Sequence, residues 1–329
     1  MTTNPLLRVE GLRQWFTSGG MLRRRITVRA VEEVSLDIDA GEVLGLVGES
    51  GSGKSTLGRA VLRVTELTAG RVLFDGRDIS RMRRRQMRPL RAQMQMIFQD
   101  PFASLNPRMT VGQIVASPLQ IQRPDMKRAE IAAAVGEALR TVGLSADYTD
   151  RYPHEFSGGQ RQRISIARAF VLAPRFLVAD EPVSALDVSI QAQVINVLME
   201  IKQKLDLTVL FISHDLAVVG HVCDRVAVMY LGRIVEIAET RALFRNPRHP
   251  YTEALFAAVP SADPTQRRPR FVLTGELPSP MSPPSGCAFR TRCRYALAAC
   301  AEAAPPLVDV DGGHATACIR HDLTLRPAL

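Results

Sequence analysis

The chain has 329 residues, of which 46 % are hydrophobic, and a formal net charge of +9. No stretch approaches the roughly 18 uncharged apolar residues that span a bilayer, and the first residues lack the apolar core of a signal peptide, so an integral membrane protein is excluded and a cytosolic location is expected. The basic charge fits nucleic acid, an anionic membrane surface or an acidic partner. Only 5 % of residues are aromatic, which does not favour base stacking.

The first two thirds of the chain alternate short β-rich runs with helical patterns, which predicts an α/β core. Apolar runs predict buried strands at residues 42–48, 92–99, 175–180 and 207–213. Between the last two, Val194, Leu198, Ile201 and Leu205 recur at helical spacing and predict a crossover helix. Residues 225–239 predict a hairpin that turns near Gly232.

Two segments depart from this alternation. Residues 101–152 have a helical pattern that interrupts the strand series, so we expect an inserted helical subdomain. After Arg245 the sequence becomes rich in proline, which predicts a linker followed by a small C-terminal appendage.

The run "GESGSGKST", from Gly48 to Thr56, fits the pattern G-x-x-x-x-G-K-[ST] between a predicted strand and a predicted helix. In such a loop the glycines let backbone N–H groups turn inward around phosphates. Lys54 is placed to reach the outer phosphates and Ser55 to bind Mg²⁺. The pattern therefore predicts a nucleotide-binding loop.

Other polar residues lie where a nucleotide site would use them. Asp180 ends a predicted strand and is placed to hold Mg²⁺, which leaves Glu181 to orient the attacking water. Gln99 and His214 also follow predicted strands, although each alone is typical of a surface residue. The run "SGGQRQRISIARA", from Ser157, predicts a second helix N-terminus that is suited to bind an anion.

Taken in order, the phosphate-binding loop, Gln99, "SGGQ", "DEP", "SALD" (Ser184–Asp187) and His214 resemble the nucleotide-binding subunit of an ABC transporter over about residues 7–260. The resemblance implies an α/β fold with a RecA-like core, an antiparallel β subdomain and a helical subdomain at about 101–170. It also implies an ABC nucleotide-binding domain at residues 1–258 and a small Cys-containing C-terminal region at 259–329.

The resemblance further implies a role for each motif. Phe16 stacks on the adenine, although the adjacent Trp15 is an alternative. Glu181, His214 and Gln99 form the catalytic set, with His214 contacting the γ-phosphate, and Ser55, Gln99 and Asp180 hold Mg²⁺. The residues around the phosphates of this chain's own ATP are Gly48, Ser50, Gly51, Ser52, Gly53, Lys54, Ser55 and Thr56. The residues that face a partner subunit's ATP are Ser157, Gly158, Gly159 and Gln160, with Asp187 in the D-loop.

Several stretches indicate a subfamily within these ABC transporter subunits. "FQDPFASLNPRMTVGQIVASPL", "NPRHPYTEAL" and the C-terminal cysteine region are similar to the ATPases of bacterial oligopeptide and dipeptide permeases, more to the F-type than to the D-type. This implies ATP-driven peptide import, a heterodimer of two ATPases, two transmembrane permeases and a periplasmic or extracellular solute-binding protein. The chain would lie at the cytoplasmic side of the cell membrane as a peripheral subunit, without nucleic acid. Importers of nickel and of other small peptide-like solutes share these motifs.

Two other functions would share part of this pattern. A soluble ABC ATPase acting on nucleic acid or ribosomes would fit the basic charge, but such proteins usually fuse two cassettes or insert long coiled coils. One cassette and no sustained heptads are present in this sequence. A purely regulatory ATP-binding module would lack the catalytic carboxylate, whereas Glu181 is present.

Four of the five cysteines, Cys287, Cys293, Cys300 and Cys318, lie within the last 43 residues. Because disulfides are rare in the cytosol, the cluster indicates metal ligands rather than bridges, but the spacing does not identify the metal. The resemblance implies a [4Fe–4S] cluster that staples the appendage; structural zinc and unligated or disulfide-bonded cysteines are the alternatives. Nearby arginines are expected to offset the cluster's negative charge: Arg290, Arg292, Arg294 and Arg320.

Overall fold

The structure, a computed structural model, describes residues 5–19, 26–257 and 276–327. Two basic clusters of the sequence, Arg23–Arg25 and Arg267–Arg270, lie outside the described residues. The chain divides into two compact units. Unit 1 consists mainly of Asp75–Ile212, and unit 2 of Leu7–Asp37, Val43–Phe74 and Ser213–Leu329.

The strands of the described residues are β1 (Leu7–Ser18), β2 (Ile26–Ile38), β3 (Val43–Val47), β4 (Ala69–Phe74), β5 (Arg77–Asp78), β6 (Met94–Ile97), β7 (Phe176–Asp180), β8 (Thr208–Ile212), β9 (Arg225–Tyr230), β10 (Arg233–Glu239), β11 (Val308–Asp309) and β12 (Ala315–Thr316). The α-helices are α1 (Lys54–Val61), α2 (Arg84–Arg91), α3 (Pro101–Ser104), α4 (Val111–Gln122), α5 (Arg128–Thr141), α6 (Gly158–Phe170), α7 (Val188–Leu205), α8 (Leu216–Val222), α9 (Thr240–Arg245) and α10 (Pro250–Ala257). Short 3₁₀ turns occupy Ala146–Asp150, Pro153–Glu155 and Ala298–Ala301.

Unit 1 contains a parallel sheet in the order β6, β7, β8. Every residue of β7 and β8 is buried, as expected for strands covered on both faces. These strands confirm three of the four predicted apolar runs. The crossover helix α7 buries Val194, Leu198 and Ile201 as predicted, but Leu205 is exposed because the helix ends there and Asp206 takes a left-handed conformation.

Four helices, α3 to α6, lie between β6 and β7 in the chain and confirm the helical insertion. Their apolar residues recur three and four positions apart and are buried, for example Ile114 and Leu119 on α4 and Val135 and Leu139 on α5. The N-terminus of α4 is closed by a capping box, in which the Thr110 hydroxyl accepts from the backbone of Gln113 and the Gln113 side chain accepts from that of Thr110.

Unit 2 contains a sheet in the order β2, β1, β4, in which β1 and β4 are antiparallel. In its other sheet, β3 pairs in parallel with β9, and β9 forms an antiparallel hairpin with β10. The hairpin turns through Leu231 and Gly232, both with positive φ, which matches the twist of the strands and confirms the predicted turn.

The chain after Arg245 differs from the predicted linker. Residues 250–257 form helix α10, whose Tyr251, Ala254 and Phe256 are buried, so "NPRHPY" belongs to the packed core. Farther on, β12 pairs with β10, and β11 pairs with β12. The described part of the C-terminal region thus extends a sheet of unit 2. The division at residue 258 stays a prediction.

One buried carboxylate holds this region together. Glu236 on β10 accepts hydrogen bonds from the backbone N–H groups of Arg248 at 2.6 Å and His249 at 3.0 Å, and from the Thr252 hydroxyl. Its other contact is His314 Nε2 at 2.7 Å, just before β12. A buried carboxylate is tolerated only when it is well hydrogen-bonded, so this network anchors the C-terminal region.

Candidate functional site

The predicted phosphate-binding loop lies in unit 2, between β3 and α1. Gly48, Gly51 and Gly53 all have positive φ. A Cβ on Gly48 would lie 2.2 Å from the Met229 carbonyl oxygen, and one on Gly53 would lie 2.1 Å from that of Ala30. The loop therefore requires glycine at these two positions, and the cradle is of the kind that takes phosphate.

Lys54 begins α1 and is buried, with its ammonium turned back into the loop. Its Nζ donates to the carbonyl oxygens of Gly48 at 2.7 Å and Glu49 at 2.9 Å, and to the Ser52 hydroxyl at 3.4 Å. The positive charge of the Lys54 ammonium is thus stabilised by the backbone carbonyl groups of the loop. An anion in the cradle would find this ammonium beside the N-terminus of an eight-residue helix.

The carboxylates of the "DEP" motif lie in unit 1, at the carboxyl end of β7. Asp180 is fully buried, whereas Glu181 is partly accessible and takes an unfavourable positive φ of 47°. The Glu181 N–H donates to the Ile212 carbonyl at 3.0 Å. The Gln99 side-chain amide donates to Glu181 Oε2 at 2.8 Å, so the structure brings these two predicted site residues together.

The "SGGQ" motif forms the first turn of α6, also in unit 1. Ser157 is the N-cap: its hydroxyl accepts from the Gln160 N–H at 3.4 Å, and the Gln160 side chain accepts from the Ser157 N–H at 3.1 Å. A Cβ on Gly159 would lie 2.4 Å from Ile190 Cγ2, while one on Gly158 would meet Leu186 Cδ2 at 3.3 Å. Asp187, which precedes α7, is exposed.

The remaining predicted residues lie in unit 2. Phe16 is 45 % exposed on β1, whereas the Trp15 indole N–H donates to Glu32 at 2.8 Å and Arg29 lies over its ring. Of the two aromatic candidates, Phe16 is therefore the one with an open ring. His214 is exposed in the short connection between β8 and α8.

The four C-terminal cysteines line one small cavity of about 20 Å³ and form no disulfide. Burial raises the pKa of Cys287 and Cys293, and raises that of Cys318 to about 11. Within residues 5–19, 26–257 and 276–327, no group of three or more His, Cys, Asp or Glu side chains is arranged to hold a metal ion. The predicted [4Fe–4S] site is thus not supported by this arrangement.

The arginines expected to offset the cluster's charge also have partners of other kinds, while Arg290 and Arg320 line the same cavity as the cysteines. Arg292 pairs with Glu49 at 2.7 Å, Arg294 with Glu253 at 3.0 Å, and Arg320 with Asp322 at 2.7 Å. Arg290 donates to the Ser285 carbonyl at 2.8 Å. No local pattern signals the Arg292–Glu49 contact, because the two residues are 243 positions apart.

The helices of the described chain include none that combines the length and the apolar character needed to cross a bilayer.

Two family models match the chain. One, described as ABC transporter, covers residues 31–184, and the other, described as oligopeptide/dipeptide transporter, C-terminal region, covers residues 235–300. The first span includes the phosphate-binding loop and the "SGGQ" and "DEP" motifs, and the second includes three of the four clustered cysteines. The matches agree with the resemblance seen in the motifs.

Individual relatives extend this similarity to nearly the whole chain. The chain is 56 % identical to a putative peptide import ATP-binding protein of Brucella ovis, over 98 % of this chain and 100 % of that protein. It is 49 % identical to the oligopeptide transport ATP-binding protein OppF of Haemophilus influenzae, over 89 % of each chain. A dimeric structure of the ATP-binding cassette MJ0796, bound to ADP and Pi, matches with a TM-score of 0.64 and 26 % identity over 71 % of this chain and 99 % of that one. The chain therefore belongs to the ABC transporter ATPases that carry the oligopeptide/dipeptide transporter C-terminal region.

Proposed function

We propose that this chain is the ATP-hydrolysing subunit that powers import of di- or oligopeptides across the cell membrane, acting as a peripheral subunit at its cytoplasmic side. The observation that carries the proposal is the near-full-length similarity to peptide import ATP-binding proteins. A glycine loop that admits no Cβ at Gly48 or Gly53, with Lys54 turned into it, supports ATP as the nucleotide.

Different residues of this chain bind different parts of its own ATP. Phe16 offers an open ring to the adenine. The backbone N–H groups of the loop, together with Lys54, bind the phosphates. The loop residues in this role are Gly48, Ser50, Gly51, Ser52, Gly53, Lys54, Ser55 and Thr56. His214 contacts the γ-phosphate.

Three residues would hold Mg²⁺: Ser55, Gln99 and Asp180. The ion would neutralise charge that builds up on the transferred phosphoryl group. The carboxylate of Glu181 orients and polarises the attacking water, and its hydrogen bond from Gln99 fixes the direction of that carboxylate. Phosphate binding thus depends mainly on the loop and Lys54, whereas water activation depends on Glu181.

The "SGGQ" turn serves the ATP of a partner ATPase. Ser157, Gly158, Gly159 and Gln160 present the N-terminus of a thirteen-residue helix, where backbone N–H groups favour phosphate. Asp187 lies in the D-loop that follows. The dimeric state of the related cassette bound to ADP and Pi supports a paired arrangement. We propose a heterodimer with a second ABC ATPase.

The complete importer would add two transmembrane permeases and, through them, a periplasmic or extracellular solute-binding protein. Purification of the tagged full chain from its own membranes in mild detergent tests this composition. Mass spectrometry should identify two permeases and one different ATPase in equal amounts. Recovery with ribosomes or nucleic acid would contradict the transport function, and recovery with permeases but no second ATPase would contradict the heterodimer.

We further propose that Cys287, Cys293, Cys300 and Cys318 bind a [4Fe–4S] cluster that staples the C-terminal region. Their placement around one cavity supports a common ligand, although binding requires the side chains to move from the positions described above. Thiolates are the ligands that such clusters use. Binding would require all four cysteines to act as thiolate ligands.

Anaerobic purification followed by iron, sulfide and zinc quantitation tests the cluster. We expect about four iron and four sulfide per chain and a brown colour, which substitution of Cys300 by serine should abolish. Stoichiometric zinc, or a colourless chain without iron or acid-labile sulfide, would contradict the prediction.

A further inference from the structure

The phosphate-binding loop contains one acidic residue, Glu49, which is held at three points. Its backbone N–H donates to the Tyr251 hydroxyl at 2.8 Å, and its carbonyl oxygen accepts from Lys54 Nζ at 2.9 Å. Its carboxylate accepts two hydrogen bonds from Arg292, at 2.7 Å from Nη1 and 3.0 Å from Nη2. All three partners lie in unit 2, as does Glu49 itself.

Arg292 reaches the loop from the C-terminal region and is fixed there by its surroundings. Its side chain is only 6 % exposed, and its Nη1 also lies 3.5 Å from the Tyr230 hydroxyl. The rings of Tyr230, Tyr251 and Phe289 pack against one another with centroids 4.6 to 5.3 Å apart. The hydrogen bonds to Glu49 raise the pKa of Arg292, so the guanidinium is always charged.

The ion pair has a direct electrostatic consequence for a loop that binds phosphate. An unpaired carboxylate one residue after Gly48 would repel the phosphates of ATP and would attract Lys54 away from them. Arg292 neutralises the Glu49 carboxylate within the phosphate-binding loop, and its two parallel hydrogen bonds fix the side chain of Glu49. Because Glu49 is only partly exposed, solvent screens the repulsion incompletely.

From this geometry we propose that Arg292 is a positioning residue for ATP: it neutralises and orients Glu49, and thereby makes the phosphate-binding loop competent to bind the nucleotide. It acts through Glu49 and not by contact with the substrate. The C-terminal region thus contributes a side chain on which the phosphate-binding loop depends, in addition to any role of its cysteines.

Arg294 provides a matched control two residues away. It comes from the same region, and its Nη2 lies 3.0 and 3.1 Å from the two carboxylate oxygens of Glu253, which is buried on α10. Glu253 is not part of the loop. Loss of either arginine removes the charged partner of a buried or partly buried carboxylate, although Glu253 keeps hydrogen bonds from the Tyr295 hydroxyl at 3.2 Å and the Arg326 N–H at 3.1 Å. Both Arg292→Ala and Arg294→Ala should therefore lower Tm. Only Arg292→Ala should change the affinity for ATP.

The test measures the dissociation constant of a fluorescent ATP analogue, together with Tm, on the full chain and its variants. We expect Arg292→Ala to weaken binding about tenfold, with a smaller effect at high salt, and Arg292→Lys to weaken it about threefold, because lysine keeps the charge without the bidentate geometry. Adding Glu49→Gln to Arg292→Ala should restore affinity to within about threefold of the parent, since the repelling charge is gone.

A merely structural role would give a different pattern. Equal weakening by Arg292→Ala and Arg294→Ala, unchanged affinity in Arg292→Ala, or no recovery in the double variant would each overturn the proposal. If Arg292→Ala does not fold, Arg292→Lys with and without Glu49→Gln decides the question in the same way: affinity that is lost in the single variant and recovered in the double variant supports it, and any other pattern overturns it.

Discussion

Replacing Glu181 by glutamine is expected to slow ATP hydrolysis in the assembled transporter by about a hundredfold or more while leaving ATP binding intact. Glutamine has nearly the same shape and can still hydrogen-bond with Gln99, whose amide lies 2.8 Å from the Glu181 carboxylate. What it loses is the negative charge that polarises the attacking water. Binding depends instead on the glycine loop and Lys54, which the substitution does not touch.

The measurement is the steady-state rate of phosphate release beside the affinity for ATP. Glu137→Gln is the matched control, because Glu137 is an exposed glutamate on α5 whose carboxylate pairs with Arg140 at 2.8 Å. It should leave both quantities unchanged. A Glu181→Gln transporter that hydrolyses ATP at the parental rate would show that another group activates the water.

Substituting leucine for Gly158 is expected to abolish most hydrolysis at the partner's ATP while this chain still binds its own. A side chain at the first turn of α6 would block the approach of backbone N–H groups to phosphate. The structure favours Gly158 over Gly159 for this test. A Cβ at Gly158 meets only the end of the Leu186 side chain, at 3.3 Å, whereas one at Gly159 would collide with Ile190 at 2.4 Å and disturb packing.

Lys54→Ala should produce the reciprocal pattern, with weak binding at this chain's own loop and an intact "SGGQ" turn. Binding of ATP to the isolated Gly158→Leu chain and hydrolysis by the assembled transporter are measured in parallel. If the isolated Gly158→Leu chain loses ATP binding to the same extent as Lys54→Ala, the turn acts on this chain's own nucleotide and the paired arrangement is wrong.

Much of the fold could be predicted because its signals are local. The sequence runs that form β7 and β8 are largely apolar, as is typical of a strand that is buried on both faces. Gly232 marked the hairpin, and the spacing of Val194, Leu198 and Ile201 marked α7. The phosphate-binding loop was predicted for the same reason, since the structure leaves no room for a Cβ at Gly48 or Gly53.

The errors arose where long-range contacts decide the structure. The prolines of "NPRHPY" predicted a linker, but Pro250 begins α10, and the backbone N–H groups of Arg248 and His249 are satisfied by Glu236 on a strand more than ten residues earlier. The contact of Arg292 with Glu49, 243 positions away, was not predicted. No periodicity or spacing encodes such a pair.

Peptide uptake into proteoliposomes tests the central claim most directly. The purified transporter, containing this chain, is reconstituted with ATP in the compartment that this chain faces and with the solute-binding protein and labelled di- and oligopeptides on the other side. We predict peptide accumulation that requires hydrolysable ATP and is lost with Glu181→Gln. ATP hydrolysis without peptide accumulation, or accumulation of nickel in place of peptide, would contradict the account.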